Sequence, residues 1–255
     1  VSDAKRHYAE LLGSVYQWFV TAGGDPIARA EAFLARHDLA DGETYLDLGA
    51  GFGQHTLSLL SAGKRVTAVD FDPTLLAELR AGAAARGLAP AGAAASLAVH
   101  EADLLDFLRD AGEARWDVVL CLGDTLTHLP TVAAARELLA ECARHLTAAG
   151  RLALSYRDST TFAAEGTARF REVARDARRT MHCLLEPIDA EHLRVTDIVT
   201  ELMPEGPRTR LSDYVKLRLA PDRIIGWAES AGLRLERREE AAGMLTLVFG
   251  RTERA

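Results

Sequence analysis

The chain has 255 residues, of which 37 are acidic and 30 basic, for a formal net charge of -7, and 48% of it is hydrophobic. That apolar share supports a buried core and argues against disorder, while the negative balance argues against general nucleic-acid binding, which needs a basic face to displace counterions. No apolar run reaches the roughly 18 residues needed to span a bilayer, and the start carries no signal-peptide pattern. Cys121, Cys142 and Cys183 lack metal-ligand spacing and read as reduced thiols of a cytoplasmic protein.

Along 4–20, Tyr8, Leu11, Leu12, Val15, Phe19 and Val20 form an apolar stripe that predicts one helix. Asp25-Pro26 predicts a second helix, with a capping carboxylate and a proline in its first turn, running to about Asp38. "TYLDLG" is the first strand, followed by a glycine turn and a helix over 53–61. "RVTAVD" is a second strand, and Asp72-Pro73 opens a helix that ends near Gly87. "GLAPAGAAAS" is of low complexity and reads as a surface connection. "LAVHEAD" and "WDVVLCLG" are strands three and four, 131–148 is a helix, and "RLALSY" is strand five. This rhythm predicts a parallel sheet with helices on both faces. Over 170–219 the pattern changes to long β-leaning stretches, "TMHCLLEPI", "HLRVTDIVTEL" and "SDYVKLRL", which read as an antiparallel insertion lying over the sheet. A helix from 221 to about 231 and the hairpin "LRLERREE" and "MLTLVFG" close the chain.

Gly49, Gly51 and Gly53 let the backbone turn tightly and approach a ligand at a helix N-terminus. A dinucleotide fingerprint, G-x-G-x-x-G, would need glycine where Gln54 stands. Asp47, just before the turn, would repel a pyrophosphate and attract an ammonium. S-adenosylmethionine carries both an ammonium and a sulfonium, so the residue chemistry favours it over NAD. Asp70 ends the second strand where it can accept from both ribose hydroxyls, a device NAD enzymes share. Asp103 ends the third strand within reach of an adenine amino group. Leu122, Gly123 and Asp124 stand at the tip of the fourth, where ligands of open α/β sheets bind.

On these motifs the chain resembles the class I S-adenosylmethionine-dependent methyltransferases over 43–156 and 233–250. The resemblance implies a Rossmann-like, doubly wound α/β fold: a seven-stranded sheet with an antiparallel hairpin end and a small antiparallel insertion after strand five. It implies a single domain, with an N-terminal helical lid over 1–40, a cofactor-binding core over 41–160, the insertion over 165–220, and the closing helix and hairpin over 221–255. Asp47, Gly49 and Gly51 would hold the methionine end, Asp70 the ribose, and Asp103 with Leu104 the adenine. Ala50, His55, Phe71, Leu122 and Gly123 complete the candidate cofactor set.

"LGDTLTHL" and "SYRDS" are similar to the L-G-N-S-x-x-H-L and D-H-R-N-Y type segments of glycine N-methyltransferase and related small-amine methyltransferases. Asp124 replaces the family's asparagine, so a neutral amide has become an anion. The resemblance implies Asp124, His128 and Arg157 as catalytic residues and Tyr16, Tyr156 and Arg157 as substrate-binding ones. Arg157 would grip a carboxylate through its planar fork, with a structural salt bridge to Asp158 or Asp213 as the competing role. Tyr8 or Tyr16 would turn an aromatic face to the sulfonium. The expected reaction moves a methyl group from S-adenosylmethionine, leaving S-adenosylhomocysteine, to a small polar metabolite, preferably at an amine nitrogen. O-methylation of a small natural-product intermediate is the alternative. No metal, nucleic-acid or membrane partner is expected, and a homo-oligomer is left open. "RFREVARDARR" reads as a solvated strand or helix face.

Overall fold

The computed structural model describes residues 3–88, 96–162 and 168–252. Most of the expected low-complexity connection, 89–95, lies outside the described residues. In chain order, helices α1 (Asp3–Glu10), α2 (Tyr16–Thr21) and α3 (Pro26–Arg36) precede strand β1 (Thr44–Leu48). Then come α4 (Gln54–Ser61), β2 (Arg65–Asp70), α5 (Pro73–Ala85), β3 (Leu97–Glu101), α6 (Leu104–Asp110), β4 (Trp116–Cys121), α7 (Val132–Arg144) and β5 (Leu146–Tyr156). Strands β6 (Arg169–Arg175), β7 (Arg179–Pro187), β8 (His192–Met203) and β9 (Gly206–Leu217) follow. Helix α8 (Pro221–Ser230) and the hairpin β10 (Leu233–Ala241) and β11 (Met244–Arg251) end the described chain.

The large sheet runs β10-β11-β5-β4-β1-β2-β3, with β1 to β5 parallel and the hairpin antiparallel to β5. Its central strands are buried on both faces, as parallel strands covered by helices must be. Leu46, Leu48, Val119, Cys121, Leu152 and Leu154 pack into one core with α6, α7 and α8, while Tyr45, Val118, Leu120 and Ala153 pack into another with α4 and α5. The expected seven-stranded fold, with its hairpin and insertion, is the fold observed. None of the described helices is long and apolar enough to cross a membrane.

Three element boundaries differ from the sequence reading. The N-terminal stripe is not one helix: α1 and α2 are separated by a short 3-10 turn over Leu12–Ser14. Gly13 there lies so close to the cap of α5 that a Cβ on it would sit 2.9 Å from Asp72 Oδ2 and 3.0 Å from the Tyr8 carbonyl. The second difference is α6, a helix that the strand pattern conceals; Asp103 is its N-cap rather than a strand end, accepting from Leu105 N at 3.1 Å. The third is α7, which stops at Arg144 because His145 turns its ring inward to the carbonyls of Ala114 and Leu108, at 2.8 and 2.9 Å. Leu146 then pairs with Trp116 and starts β5.

The insertion is a four-stranded antiparallel sheet, β6-β7-β8-β9, and "RFREVARDARR" forms its outer strand and first turn. One face meets the N-terminal helices: Leu11, Leu12 and Val15 pack with Ala174, Met181 and Val199. The contact is pinned by His7 Nε2, 3.0 Å from Asp197 Oδ2, with both side chains buried.

Candidate active site

Two cavities meet at the carboxyl ends of the parallel strands. The smaller, about 310 Å³, opens over the glycine turn that follows β1. Gly49, Gly51 and Gly53 hold φ of +74°, +56° and +87°, the left-handed region that glycine enters without steric cost. A Cβ on Gly49 would fall 2.5 Å from the Thr125 side chain, and one on Gly53 2.1 Å from Leu79 Cδ1. At Gly51 the nearest atom is Tyr16 Cε1, at 3.6 Å. The turn is fixed to β2: Gly49 N and Ala50 N donate to the Val69 carbonyl, and Gly51 N donates to Asp70 Oδ2 at 2.8 Å.

Gly49, Gly51, Asp70, Phe71, Asp103 and Leu104 line this cavity, joined by Lys5, Tyr8 and Tyr16 from the N-terminal segment. Asp70 is buried, takes a second amide from Asp72 N at 2.9 Å, and is pushed up to about 6 by its burial. Asp47 lies buried in β1 behind the turn, accepts from Thr56 Oγ1 at 2.7 Å, and is likewise pushed up to about 6 by burial. Among the described residues, hydroxyl and amide donors rather than cations hold these two carboxylates. Asp103 differs, since its Oδ2 lies 3.5 Å from Lys5 Nζ.

The larger cavity, about 900 Å³, lies between the strand tips, the N-terminal helices and the insertion. Leu122, Gly123, Asp124 and Arg157 line it, as do Tyr214 and Lys216 of β9. Tyr8, Tyr16 and His128 line both cavities. Asp124 has φ +78° and is tied to β5 by its own N–H, which donates to the Ser155 carbonyl at 3.0 Å. Its Oδ1 accepts from Arg157 N at 2.7 Å and pairs with Lys216 Nζ at 2.9 Å, while Oδ2 accepts from the Arg157 guanidinium. Burial works against its ionisation, but Lys216 and Arg157 outweigh that and hold it well below the usual carboxylate range. His128 Nε2 lies 3.2 Å from the Tyr214 hydroxyl; burial, helped by Lys216, pushes the ring down to about 3, so it is neutral at physiological pH.

The structure brings Asp124, His128, Arg157 and Tyr16 to one place. Ala50 is buried and lines neither cavity. His55 lines the larger cavity beside Phe33, with ring centroids 5.9 Å apart, and burial lowers it to about 4. Leu122 and Gly123 also line the larger cavity. Tyr156 is a correction. Strand alternation turns it to the face opposite Ser155, fully buried in the core that holds Leu217, Ile224 and Leu245, and it lines neither cavity. Lys216, Tyr214 and Lys5 are site residues that the sequence reading does not reach. The signal for the first two is the alternation in "SDYVKLRL", which puts Ser212, Tyr214 and Lys216 on one face of a strand; nothing local says that this face meets the tip of β4.

Residues 46–150 match the model of a family described as a methyltransferase domain. Over 99 residues, 39% of this chain, the sequence is 37% identical to a glycine/sarcosine/dimethylglycine N-methyltransferase of Actinopolyspora halophila. That stretch is 16% of the relative, so the chain spans only a small part of the curated protein it matches. Among solved structures, the CcbJ methyltransferase from Streptomyces caelestis is similar with a TM-score of 0.78 and 23% identity, over 96% of this chain and 98% of that one. SAM-bound CalS10, an amino pentose methyltransferase from Micromonospora echinaspora, gives a TM-score of 0.72 and 22% identity over 93% and 97% of the two chains. These last likenesses are of fold alone: the chain shares the fold of these methyltransferases.

Proposed function

We propose, on the premise of a methyltransferase domain with this fold, that the chain binds S-adenosylmethionine in the smaller cavity. It methylates an amine nitrogen of a small polar molecule held in the larger one. The observation that carries the reading is the shared wall: Tyr8, Tyr16 and His128 line both cavities, so one molecule in each would meet there. The smaller cavity suits the cofactor's chemistry. Its glycine cradle has no room for a Cβ at Gly49 or Gly53, and its size falls within the usual range of ligand pockets. Asp70 supplies negative charge there, held by neutral donors, with Asp47 buried behind the turn and lining neither cavity.

When bound, the cofactor supplies a methyl group on a sulfonium, already joined to a good leaving group. The protein is left to position and to exclude water. Asp70 would hold the ribose hydroxyls, since each of its oxygens has one amide donor and a lone pair to spare. Asp103, already paired with Lys5, and Leu104 would face the adenine. Tyr16 would cover the cationic end, and α1 and α2 would act as the lid. His128, uncharged and open to both cavities, would accept a hydrogen bond that orients the attacking amine, which must already be neutral to react, since a ring lowered to about 3 is too weak a base to take its proton. Asp124 is unsuited to that work because both oxygens are taken by cations; its role is to position Arg157 and Lys216.

The test is calorimetric titration with S-adenosylmethionine and S-adenosylhomocysteine, then a mass-shift screen of amines, amino acids and phenols. Cofactor binding with methylated amines supports the reading. Methylated phenols alone would move O-methylation ahead, and no binding of either nucleoside would overturn the assignment.

A further inference from the structure

Where the insertion sheet meets the larger cavity, its inner face carries an apolar row. Leu185 pairs with Val195, and Val195 with Tyr214, so the three stand side by side across β7, β8 and β9. All three line the cavity, and Cys183 and Leu193 pack beside them. Phe162, from the turn after β5, packs against the same cluster and lines the cavity too. Val195 and Tyr214 are buried, but Leu185 and Phe162 are only half-buried, so apolar surface stays uncovered along this wall. The row begins at the reacting end, since the Tyr214 hydroxyl lies 3.2 Å from His128 Nε2.

Next to Phe162 stands a polar atom without a partner. Ser159 is 3% exposed and lines the cavity, and among the described residues its Oγ meets no hydrogen-bond partner. A buried hydroxyl left unpaired is costly, and native structures satisfy nearly all of them, so this one points to a ligand. Its turn is braced. The buried Arg218 donates to the carbonyls of Ser159, Thr160, Phe162 and Asp189, at 3.3, 3.5, 3.1 and 2.5 Å. Phe162 N donates to the Ser159 carbonyl at 3.2 Å, which keeps hydroxyl and ring within one turn. The cavity, about 900 Å³, is near the top of the about 300–1,000 Å³ range of small-molecule sites, more room than a polar amine of a few heavy atoms fills.

We propose that this wall is a subsite for an apolar body on the methyl-accepting molecule. An alkyl or aryl portion lies along Tyr214, Val195 and Leu185, against Phe162, and a hydrogen-bonding group beyond it meets Ser159 Oγ. The proposal rests on the methyltransferase reading for its reacting end. It makes the acceptor amphipathic, with its amine at His128 and its apolar body on the insertion. Covering Leu185 and Phe162 removes apolar surface from water, so each added methylene strengthens binding until the row is filled.

The test uses primary n-alkylamines from ethyl to octyl and the terminal amino alcohols of the same lengths. Each is titrated calorimetrically into the full chain, with and without S-adenosylhomocysteine. A fully buried methylene is worth about fourfold in affinity, so partial burial should give at least about twofold per methylene between butyl and hexyl. Leu185→Asn should flatten that rise to below about 1.5-fold per methylene. Its S-adenosylhomocysteine affinity should stay within about twofold of wild type, because Leu185 lines the larger cavity and not the smaller. Leu211→Asn, on the outer face of the same sheet and 67% exposed, should keep the wild-type rise. Ser159→Ala should lower the ratio of amino-alcohol to alkylamine affinity at least about threefold at the length whose hydroxyl reaches it. A flat wild-type series, a rise that survives Leu185→Asn, or one that Leu211→Asn abolishes would each overturn the apolar subsite. A ratio that Ser159→Ala leaves unmoved at every length would overturn the Ser159 contact. Thermal unfolding reports folding throughout, and Phe162→Ala replaces Leu185→Asn should that variant fail to fold. Failure of the wild type to bind S-adenosylhomocysteine strikes the methyltransferase reading instead, and the chain-length series still decides the subsite.

Discussion

In the smaller cavity Asp70 is held by two backbone amides and lifted by burial to about 6. In the larger cavity Asp124, equally buried, is ringed by Lys216 and Arg157 and held far lower. Both carboxylates stand at the ends of parallel strands of one sheet, yet their surroundings give them opposite work. Amide donors leave Asp70 with acceptor capacity facing a cavity, so a ligand can use it. Cationic donors consume Asp124, so its neighbours are what a ligand meets. An aspartate at a strand tip thus keeps acceptor capacity in one case and spends it on cations in the other, and only the partners distinguish them.

The largest effect should come from breaking the scaffold. Asp124→Ala leaves two cations facing each other with no counter-ion, and removing one partner of a buried ionic group costs about 3–5 kcal/mol. Urea denaturation should show a loss of that size, with Asp124→Asn falling between it and wild type. A loss below about 1 kcal/mol for the Ala variant would mean that water, not Asp124, keeps the cations apart.

Asp70→Ala should act on binding instead. Two charge-assisted hydrogen bonds to a ligand are worth about 1.5–3 kcal/mol each at most, so S-adenosylmethionine affinity should fall at least tenfold. Calorimetry on the Asp70 and Asp124 variants side by side, with urea denaturation to report the lost Gly51 and Asp72 amide bonds, separates ligand contact from scaffold. Unchanged affinity in Asp70→Ala would remove the ribose assignment.

A pH series sharpens the same contrast. Asp47 and Asp70 titrate near 6 in the fold against an ordinary value of 3.8. Between about pH 4 and 6 the folded chain binds more protons than the unfolded one, so these two groups lower stability as pH rises through that window, with no further change above it. A cationic ligand needs them ionised, so binding should strengthen as pH rises through 6. Asp70, which lines the cavity, should weaken S-adenosylmethionine binding about tenfold at pH 5 relative to pH 8, with proton release in calorimetry, and Asp47, buried behind the turn, should contribute less. Asp124, already ionised throughout that range, should contribute nothing to the slope.

The two cavities also differ in how far they are legible in the sequence. The smaller is built mainly from short-range signals. A strand, a glycine turn and a helix follow one another at 44–61, and Asp70 ends the next strand, so chain order and strand patterning suffice to place Gly49, Gly51 and Asp70. The larger depends on contacts between distant segments. Lys216 reaches Asp124 from the far side of the insertion, and His7 reaches Asp197 across 190 positions; no local pattern encodes either pairing. For Arg157 the sequence suggests Asp158 or Asp213 as a structural partner, but the chain turns it to Asp124. Tyr156 misleads for a simpler reason: it adjoins Arg157, and a one-residue step along a strand reverses the face. Helix α6 is hidden because it is only seven residues long, too short for a clear helical period, and only Asp103 marks its cap.

The smallest expected effect falls on the wall that the cavities share. Tyr16 lines both, and its ring lies 3.6 Å from where a Cβ on Gly51 would be. Burial, aided by Asp70, lifts its hydroxyl to about 12, so the ring stays an uncharged phenol. If that ring faces a sulfonium, its quadrupole attracts the charge, an effect worth about 1 kcal/mol and up to about 2 when desolvated. Packing alone would serve the charged cofactor and its uncharged product equally. Tyr16→Leu keeps much of the apolar bulk and loses the quadrupole, so S-adenosylmethionine affinity should fall about fivefold while that for S-adenosylhomocysteine changes less than about twofold. Tyr16→Phe, which keeps the ring, should leave the ratio of the two affinities at its wild-type value. An equal loss for both nucleosides in the Leu variant would reduce Tyr16 to a packing residue, and any preference for a cation in the smaller cavity would then rest on its carboxylates.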